Sequence, residues 1–489
     1  MKRITALLIA CCLGLLFAAS TCFAQMYTVT DVGTFGGTWS SASAINASGQ
    51  VVGAASFADD ARDHASYHAF RTAPNSPINP ATDDLGTLGG TFDGSMATGI
   101  NNSGQVVGWA SSPNFVQEAF RTAPNSPIKP ADGFGTFGGT YSIANGINDS
   151  GQVVGYSYLP GNAAYHAFRT APNSAVNPAT DDLGTLGGSS SSAAIGINDS
   201  GQVVGYYIDN LGYWHPFRTA VNSAINPATD NLGGRPADDP AGTGEASAIN
   251  AFGQVVGTAY FAEWTNIRGF RTASNSPINP ATDDLGTLDR LNSVGLGSWA
   301  TGINAFGQVV GASAMWNGPN RAFLYDGVMH DLNELIPVSS GWVITAGDAI
   351  NDAGQIAATG YGPNSADHAV RLDPIYKALV QQPINADGSS VFKANRGVIP
   401  VKFAVTQYNS PSCTLTATIG ITRAGGGTLA AVDESVYSTQ SDNGSNFRID
   451  STACQYIYNL AASSLGVGTY RADISINGIM VGHAVFALK

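Results

Sequence analysis

The sequence predicts an all-β protein: a seven-bladed β-propeller followed by a β-sandwich. Three observations carry that prediction. A corner motif, Ile-Asn-x-x-Gly-Gln-Val-Val-Gly in its fullest form, returns seven times, its first Gly falling at Gly49, Gly104, Gly151, Gly201, Gly253, Gly307 and, degenerately, Gly354. The spacing of 47 to 55 residues is that of a repeated unit of several strands. The two ends of the array complement each other, since a strand motif stands in surplus before the first unit and is missing after the last.

Composition and the ends of the chain set the frame. The 489 residues are 44% apolar and only 12% charged, with 59 Gly, a turn-rich balance without polybasic or coiled-coil character. Lys2 and Arg3 precede an apolar run, and Cys22-Phe23-Ala24 places small residues before Gln25, so residues 1–24 are expected to be a secretory signal peptide. An N-terminal anchor is the competing reading, although the run is shorter than the ~20 residues of a spanning helix. No other stretch is apolar enough to cross a bilayer as a helix, so the mature chain is expected to lack a transmembrane segment and to be secreted. Loss of the two basic residues takes the formal charge from -13 to -15. A chain that acidic repels nucleic acid, which is excluded as a default partner. Cys413 and Cys454 are the cysteines left after the signal, an even pair in an exported chain, and a disulfide between them is expected.

Each unit of residues 27–374 reads as four strands. The first is rich in small residues and ends in Ile-Asn, as in Ser95-Met96-Ala97-Thr98-Gly99-Ile100-Asn101. The second is the Val-rich run. The third carries His-Ala-Phe-Arg or a variant, and the fourth Asp-Leu-Gly-Thr. The corner Asn recurs at Asn46, Asn101, Asn148, Asn198, Asn250, Asn304 and Asn351, always three residues before a Gly, which is hairpin chemistry. A calcium loop is the alternative for Asn-Asp-Ser-Gly, weakened by Ala after the Asn in three copies. Tyr27 to Thr34 is a fourth-strand motif with no unit before it, and the last unit stops after its third strand near Arg371. The N-terminal strand is therefore expected to complete the seventh blade and close the ring. An open solenoid is the competing architecture.

Together, Asp-Leu-Gly-Thr-Leu-Gly-Gly, Ile-Asn-Asp-Ser-Gly-Gln-Val-Val-Gly and His-Ala-Phe-Arg resemble the bacterial extracellular HAF repeat family over residues 27 to about 372. The resemblance implies an exported bacterial repeat protein and brings no catalytic residues with it. Two units depart from the pattern: Leu324-Tyr325 replaces Arg-Thr in the sixth, and Ala369-Val370 breaks the name motif in the seventh. Residues 375–489 hold about seven strand-like runs, the count of an antiparallel sandwich. Pro400-Val401-Lys402-Phe403, Gly468-Thr469-Tyr470 and the closing Val485-Phe486-Ala487-Leu488-Lys489 resemble the PxKF module of bacterial secreted proteins, which implies an Ig-like β-sandwich.

For function, the two faces of the disc differ. One carries the Asn-x-x-Gly corners and a near-verbatim linker beginning at Thr72, Thr122, Thr170, Thr219 and Thr272. The other carries all seven tryptophans. Trp39, Tyr207, Trp214, Tyr260, Trp264, Trp299, Trp316 and Trp342 are the candidate ligand-binding residues, since flat aromatic rings suit sugar rings or a partner surface; packing between blades is the competing role. The adjacent pairs Asp83-Asp84, Asp181-Asp182 and Asp283-Asp284 are expected to be surface turn residues, because neighbours in a strand point to opposite faces. His68, His166, His215 and His368 share one position with Glu118, Arg268 and Arg321, which points to polarity rather than imidazole chemistry. No serine-hydrolase elbow, zinc-protease motif or phosphate loop is present, so no catalytic residue, metal or cofactor is assigned. The expected function is non-enzymatic binding of a glycan or protein ligand on the aromatic face. A polysaccharide hydrolase or lyase and a structural matrix component are the alternatives.

Overall fold

The computed structural model describes residues 26–489 apart from 59–66, 91–93, 115–116, 187–190, 234–243, 262–266, 290–295, 364–365, 396, 409, 425–431 and 434–439. The expected signal peptide lies outside the described residues. Residues 27–374 form seven antiparallel sheets of three or four strands, each a meander in chain order. The first runs Gly36–Ile45, Val51–Phe57, Tyr67–Arg71, and the seventh Val343–Ile350, Ile356–Tyr361, Asp367–Pro374. The N-terminal strand Tyr27–Asp31 pairs with Asp367–Pro374, Thr30 opposite Arg371, so the surplus strand completes the last sheet as expected. First and seventh sheets also meet directly: Ser40 Oγ accepts from the Ala369 N–H at 3.0 Å, and Val32, Ala42, Ala357 and Ala369 share one core cluster.

The repeat motifs explain this architecture residue by residue. In His-Ala-Phe-Arg the Phe is the centre of each sheet's core, and Phe70, Phe120, Phe168, Phe217, Phe270 and Phe323 are all fully buried. The Arg crosses to the next unit, Arg71, Arg121, Arg169 and Arg218 donating to the carbonyls of Ser126, Ser174, Ser223 and Ser276 at 3.0 Å. The Thr that follows accepts the Val N–H opening the second strand, as Thr72 does from Val51. The His holds the Asp at the head of the fourth segment, His68 with Asp84 and His166 with Asp182 at 2.9 Å, His368 with Asp31 at 3.1 Å. Where that Asp is replaced by Gly133, the His is replaced by Glu118, whose carboxylate takes over the missing contact by accepting from the Gly135 N–H.

The corner Asn does more than turn the chain. Its Oδ1 accepts from the Gln four residues on, and its Nδ2 donates to that Gln side chain and to the backbone carbonyl of the next sheet's Asn. The last contact runs Asn46 to Asn101, Asn148, Asn198, Asn250, Asn304 and Asn351, at 3.1 to 3.3 Å, and returns from Asn351 to Asn46 at 2.9 Å. The array is therefore a closed circle of seven. The Gln completes a second layer, Gln50, Gln105, Gln152, Gln202 and Gln355 each donating to a linker Asn of a neighbouring unit.

Three expectations are corrected. The fourth strand is a regular strand in the third, sixth and seventh sheets, but only a single bridge at Asp84, Gly133, Asn231 and Asp284 in the others. Asp84 Oδ1 accepts the Gly86 N–H at 2.8 Å and Gly86 takes φ 71°, a turn that Asp182 and Gly184 repeat in the third sheet, where Gly184 makes a second pairing. The first Asp of each acidic pair is buried rather than on the surface, because Asp83, Asp181 and Asp283 accept the backbone N–H of Asn79, Asn177 and Asn279. A single helical turn, Leu332–Leu335, also occurs in a region read as free of helix.

Residues 375–489 form two sheets around a shared core of Val401, Phe403, Tyr456, Tyr470, Ile474 and Phe486. The pairing is not wholly antiparallel. Val391–Phe392 lies parallel to Ile479–Leu488, because the chain crosses from one sheet to the other after Tyr376–Gln381. Cys413 and Cys454 are unbonded thiols, correcting the expected disulfide; the Cys413 contact first, then burial, pushes the Cys454 thiol up. The two segments are tied instead by the Leu415 N–H donating to Tyr456 Oη at 3.1 Å.

The second unit follows without a linker and rests on the corner end of the ring. Ile375 N–H donates to the Met26 carbonyl at 2.8 Å, and Leu335, Ile344 and Ile375 belong to the same apolar cluster as Phe392 and Ile399. Gln308, whose counterparts reach a linker Asn, donates to the Met480 carbonyl, and Met480 N–H donates to Asp326.

If the Asn circle holds the sheets together, Asn148→Ala will cost about 3 kcal/mol or more, since it removes the buried partner of the Gln152 N–H, the Nδ2 donor to Gln152 Oε1, and the donor that reaches across to the Asn198 carbonyl. Asp149→Ala, at a position where other copies already carry Ala, will cost less than about 1 kcal/mol. Urea unfolding of the two variants checks this, and equal losses would count against the circle.

Candidate ligand-binding face

Seven of the eight candidate rings divide into exposed and packed groups, and one lies outside the described residues. Trp264 is that one. Trp214 opens the third strand of the fourth sheet, 39% exposed, and stacks flat on Tyr206 with centroids 4.2 Å apart and planes 10° apart. Trp316, in the turn after Val309–Ser313, is 68% exposed. Trp39 is half-buried and meets Tyr67 edge-on at 5.8 Å, which in turn meets the buried Trp109 at 6.1 Å, a series that packs one sheet on the next. Trp342 is half-buried near His368 and against Gly362. Trp299 and Tyr260 are half-buried within their strands. Tyr207 is buried, stacked on His215, and its hydroxyl accepts from Asn231, so it is not available to a ligand.

The residues around Trp214 were not foreseen. Tyr156 and Tyr206 occupy the fourth position of the Val-Val-Gly-Tyr strand in consecutive sheets, and Tyr158 and Tyr165 meet Tyr156 at 6.3 and 5.1 Å. The Tyr165 and Tyr206 hydroxyls are 3.3 Å apart. Burial first, then the neighbouring tyrosines, pushes Tyr156 up to about 12. Burial also leads for Tyr206, with Tyr165, Tyr156 and Glu245 adding to the upward shift, which puts the Glu245 carboxyl within electrostatic reach of the Trp214 platform. Glu245 is itself raised by burial. The signal in the sequence was the shared register of Tyr156 and Tyr206 with Trp109.

A second unforeseen set lies on the inner strands. Each breaks register three residues before its corner Asn, a β-bulge that leaves one residue out of the ladder: Ser43, Thr98, Asn145, Ile195, Ser247, Thr301 and Asp348. Thr98, Asn145 and Thr301 donate from there to the carbonyls of Ala144, Ala194 and Gly347 on the next inner strand. Asp348 stands at the same place in the seventh sheet. Burial raises its carboxyl to about 7, against the pull of the Thr359 hydroxyl at 2.8 Å. An ionised carboxylate has no hydrogen to give at a position where its counterparts donate. Among the described residues no group of three His, Cys, Asp or Glu is placed to hold a metal ion, and no described helix is long and apolar enough to cross a membrane.

No family model and no curated protein matches the chain. Among solved structures it is similar to a fucose-specific lectin from Aleuria aurantia, at 11% identity over 56% of this chain and 88% of that one, TM-score 0.33. The BP39L lectin from Burkholderia pseudomallei gives 10% identity over 71% and 95%, TM-score 0.34. The Aleuria lectin structure described as a six-bladed β-propeller gives 12% over 56% and 89%, TM-score 0.33. Likenesses this distant decide nothing about the site, which stands on the contacts above.

Asp348 supplies a pH signature. An acid whose folded pKa lies above its unfolded value contributes stability below the unfolded pKa of ~3.9 and loses it as the pH rises through about 7. Asp348→Asn is therefore expected to match the parent near pH 3.5 and to exceed its stability by up to about 4 kcal/mol at pH 8, at about 1.4 kcal/mol per pKa unit. Unfolding midpoints measured across that range test it; a pH-independent difference would refute the assignment.

Proposed function

We propose that residues 27–374 are a seven-bladed β-propeller, residues 375–489 an Ig-like module of the PxKF type, and the whole an exported, non-enzymatic binding protein of the HAF repeat kind. Its ligand is a glycan taken on the end of the ring opposite the second unit. The observation that carries this reading is the Trp214 and Tyr206 stack: an open, rigid indole face backed by a second ring and flanked by a carboxyl. A pyranose offers a flat C–H face to such a ring and hydroxyls to a carboxylate, and the stacked pair loses little side-chain freedom on binding. Circular closure favours a rigid platform, and the second unit, resting on the other end, leaves this one free.

Glycan-array binding of the exported chain is expected to fall about tenfold or more in Trp214→Ala, the loss of one aromatic anchor. Trp342→Ala, at a ring packed inside its sheet, leaves binding unchanged. Full retention in Trp214→Ala overturns the aromatic platform as the site.

One observation favours a second reading. Glu245 and Asp348 both hold their protons above the ordinary carboxyl range, as general acids of polysaccharide cleavage do. Product release from a polysaccharide panel, abolished in Asp348→Asn, would establish the hydrolase or lyase. A chain that neither binds nor cleaves but is retained in the matrix would be the structural component.

A further inference from the structure

The linker that clasps one sheet to the next is present after the first five third strands and absent after the sixth, where Asp326-Gly327-Val328 makes a tight hairpin instead. Its absence leaves Arg271 without the Ser carbonyl that Arg71, Arg121, Arg169 and Arg218 each find. Arg271 keeps the contact with the Gly307 carbonyl that Arg121, Arg169 and Arg218 make with Gly151, Gly201 and Gly253, and lies over the Tyr325 ring at 5.1 Å. The second unit closes over this gap, with Arg471 donating to the Phe306 carbonyl and the His483 ring set against the Phe306 ring at a 35° tilt. Burial, then Arg471, lowers His483 to about 4, so it is uncharged at neutral pH.

What remains between the two units is a cleft of about 930 Å³, at the upper end of the ~300–1,000 Å³ range of small-ligand sites. Arg271, Arg423 and Arg471 reach it, and Asp387 is the carboxylate in its lining; Arg471 is already paired with Asp473, its Nη2 donating to Oδ2 at 2.9 Å, so Arg271 and Arg423 carry the positive charge left for a ligand. In a chain of net charge -13 this is an island of the opposite sign. Its walls mix polar side chains such as Gln254, Ser274 and Thr469 with two aromatic rings, Phe306 and Phe252, the latter 38% exposed.

We propose that this cleft binds an acidic sugar, a uronate unit of an anionic polysaccharide, with the carboxylate on the arginines and the ring against Phe252 and Phe306. Guanidinium groups match a carboxylate with paired N–H donors, whereas the aromatic wall has no use for a bare inorganic anion. The site is separate from the Trp214 platform and does not rest on it.

The test is calorimetric titration of the full mature chain with trigalacturonate, with neutral galactotriose and with sodium sulfate. Saturable binding of trigalacturonate that weakens with added salt is expected, with no comparable binding of the other two. Arg423 is the safest handle, its side chain being exposed and, among the described residues, donating to the Val467 carbonyl alone. Arg423→Gln is expected to lower the trigalacturonate affinity about tenfold or more, the loss of one charge-assisted contact, with its unfolding midpoint unchanged. Trp214→Ala leaves that affinity intact. Equal binding of the neutral trisaccharide or of sulfate, an unaltered affinity in Arg423→Gln, or loss of binding in Trp214→Ala would each overturn the proposal.

Discussion

The structure depends on the circle of corner asparagines. Each Nδ2 donates across a sheet boundary to the backbone of the next corner, so each sheet is fixed by the one ahead of it and the seventh is fixed by the first. A hydrogen bond of this kind is worth about 1 kcal/mol net, but leaving its buried members unpaired costs more than that, which makes an incomplete circle worse than none. Closure also solves the edge problem for the first and last sheets. The Tyr27–Asp31 strand covers the outer edge of Asp367–Pro374, so a chain beginning and ending in the same sheet is held at both ends by one pairing.

Regularity and its failure then divide the ring. Where the repeat is complete, every polar group of the motif has an assigned partner inside the ring: His with Asp, Arg with Ser, Gln with Asn. Such a surface is saturated and has little left to offer a ligand. In the sixth and seventh units the linker is missing, Gln308 is left facing outward, and the second unit fills the space with the Met480 carbonyl. The departures Leu324-Tyr325 and Ala369-Val370 fall in these same two units, Leu324-Tyr325 in the hairpin that replaces the linker and Val370 in the pairing that closes the ring.

The closure of the ring was legible in the sequence because it rests on strand order, which survives any uncertainty about side chains. The role of the corner Asn was half legible. Hairpin chemistry explains an Asn before a Gly, yet Asp or Ser would serve a turn as well, and the presence of Asn in all seven copies, while the next residue varies among Ala, Asn and Asp, already asked for an amide donor. The aromatic face was less legible. In Tyr206-Tyr207 the period-two rule sends the two rings to opposite faces of the strand. When both faces of a sheet are packed by neighbours, no alternation of polarity tells which ring is open, and here neither is: Tyr206 lies under Trp214 and Tyr207 against His215. The extent of the fourth strand was not legible: the Asp side chain takes the Gly N–H in Asp84-Leu85-Gly86 and in Asp182-Leu183-Gly184 alike, yet only the second makes two pairings.

The same logic locates chemistry within an otherwise neutral ring. Three of the bulged residues of the inner strands, Thr98, Asn145 and Thr301, share one role, giving a hydrogen to the carbonyl of the next strand, a role that Ile195 at the same place leaves unfilled. Asp348 can fill it only when protonated, and burial favours that form up to about pH 7. The group that departs most from its repeat is thus also the one whose charge state is set near neutrality, as a consequence of geometry imposed by six other copies. A repeat protein acquires titratable chemistry cheaply in this way: the scaffold holds the position, and a single substitution changes what the position can do.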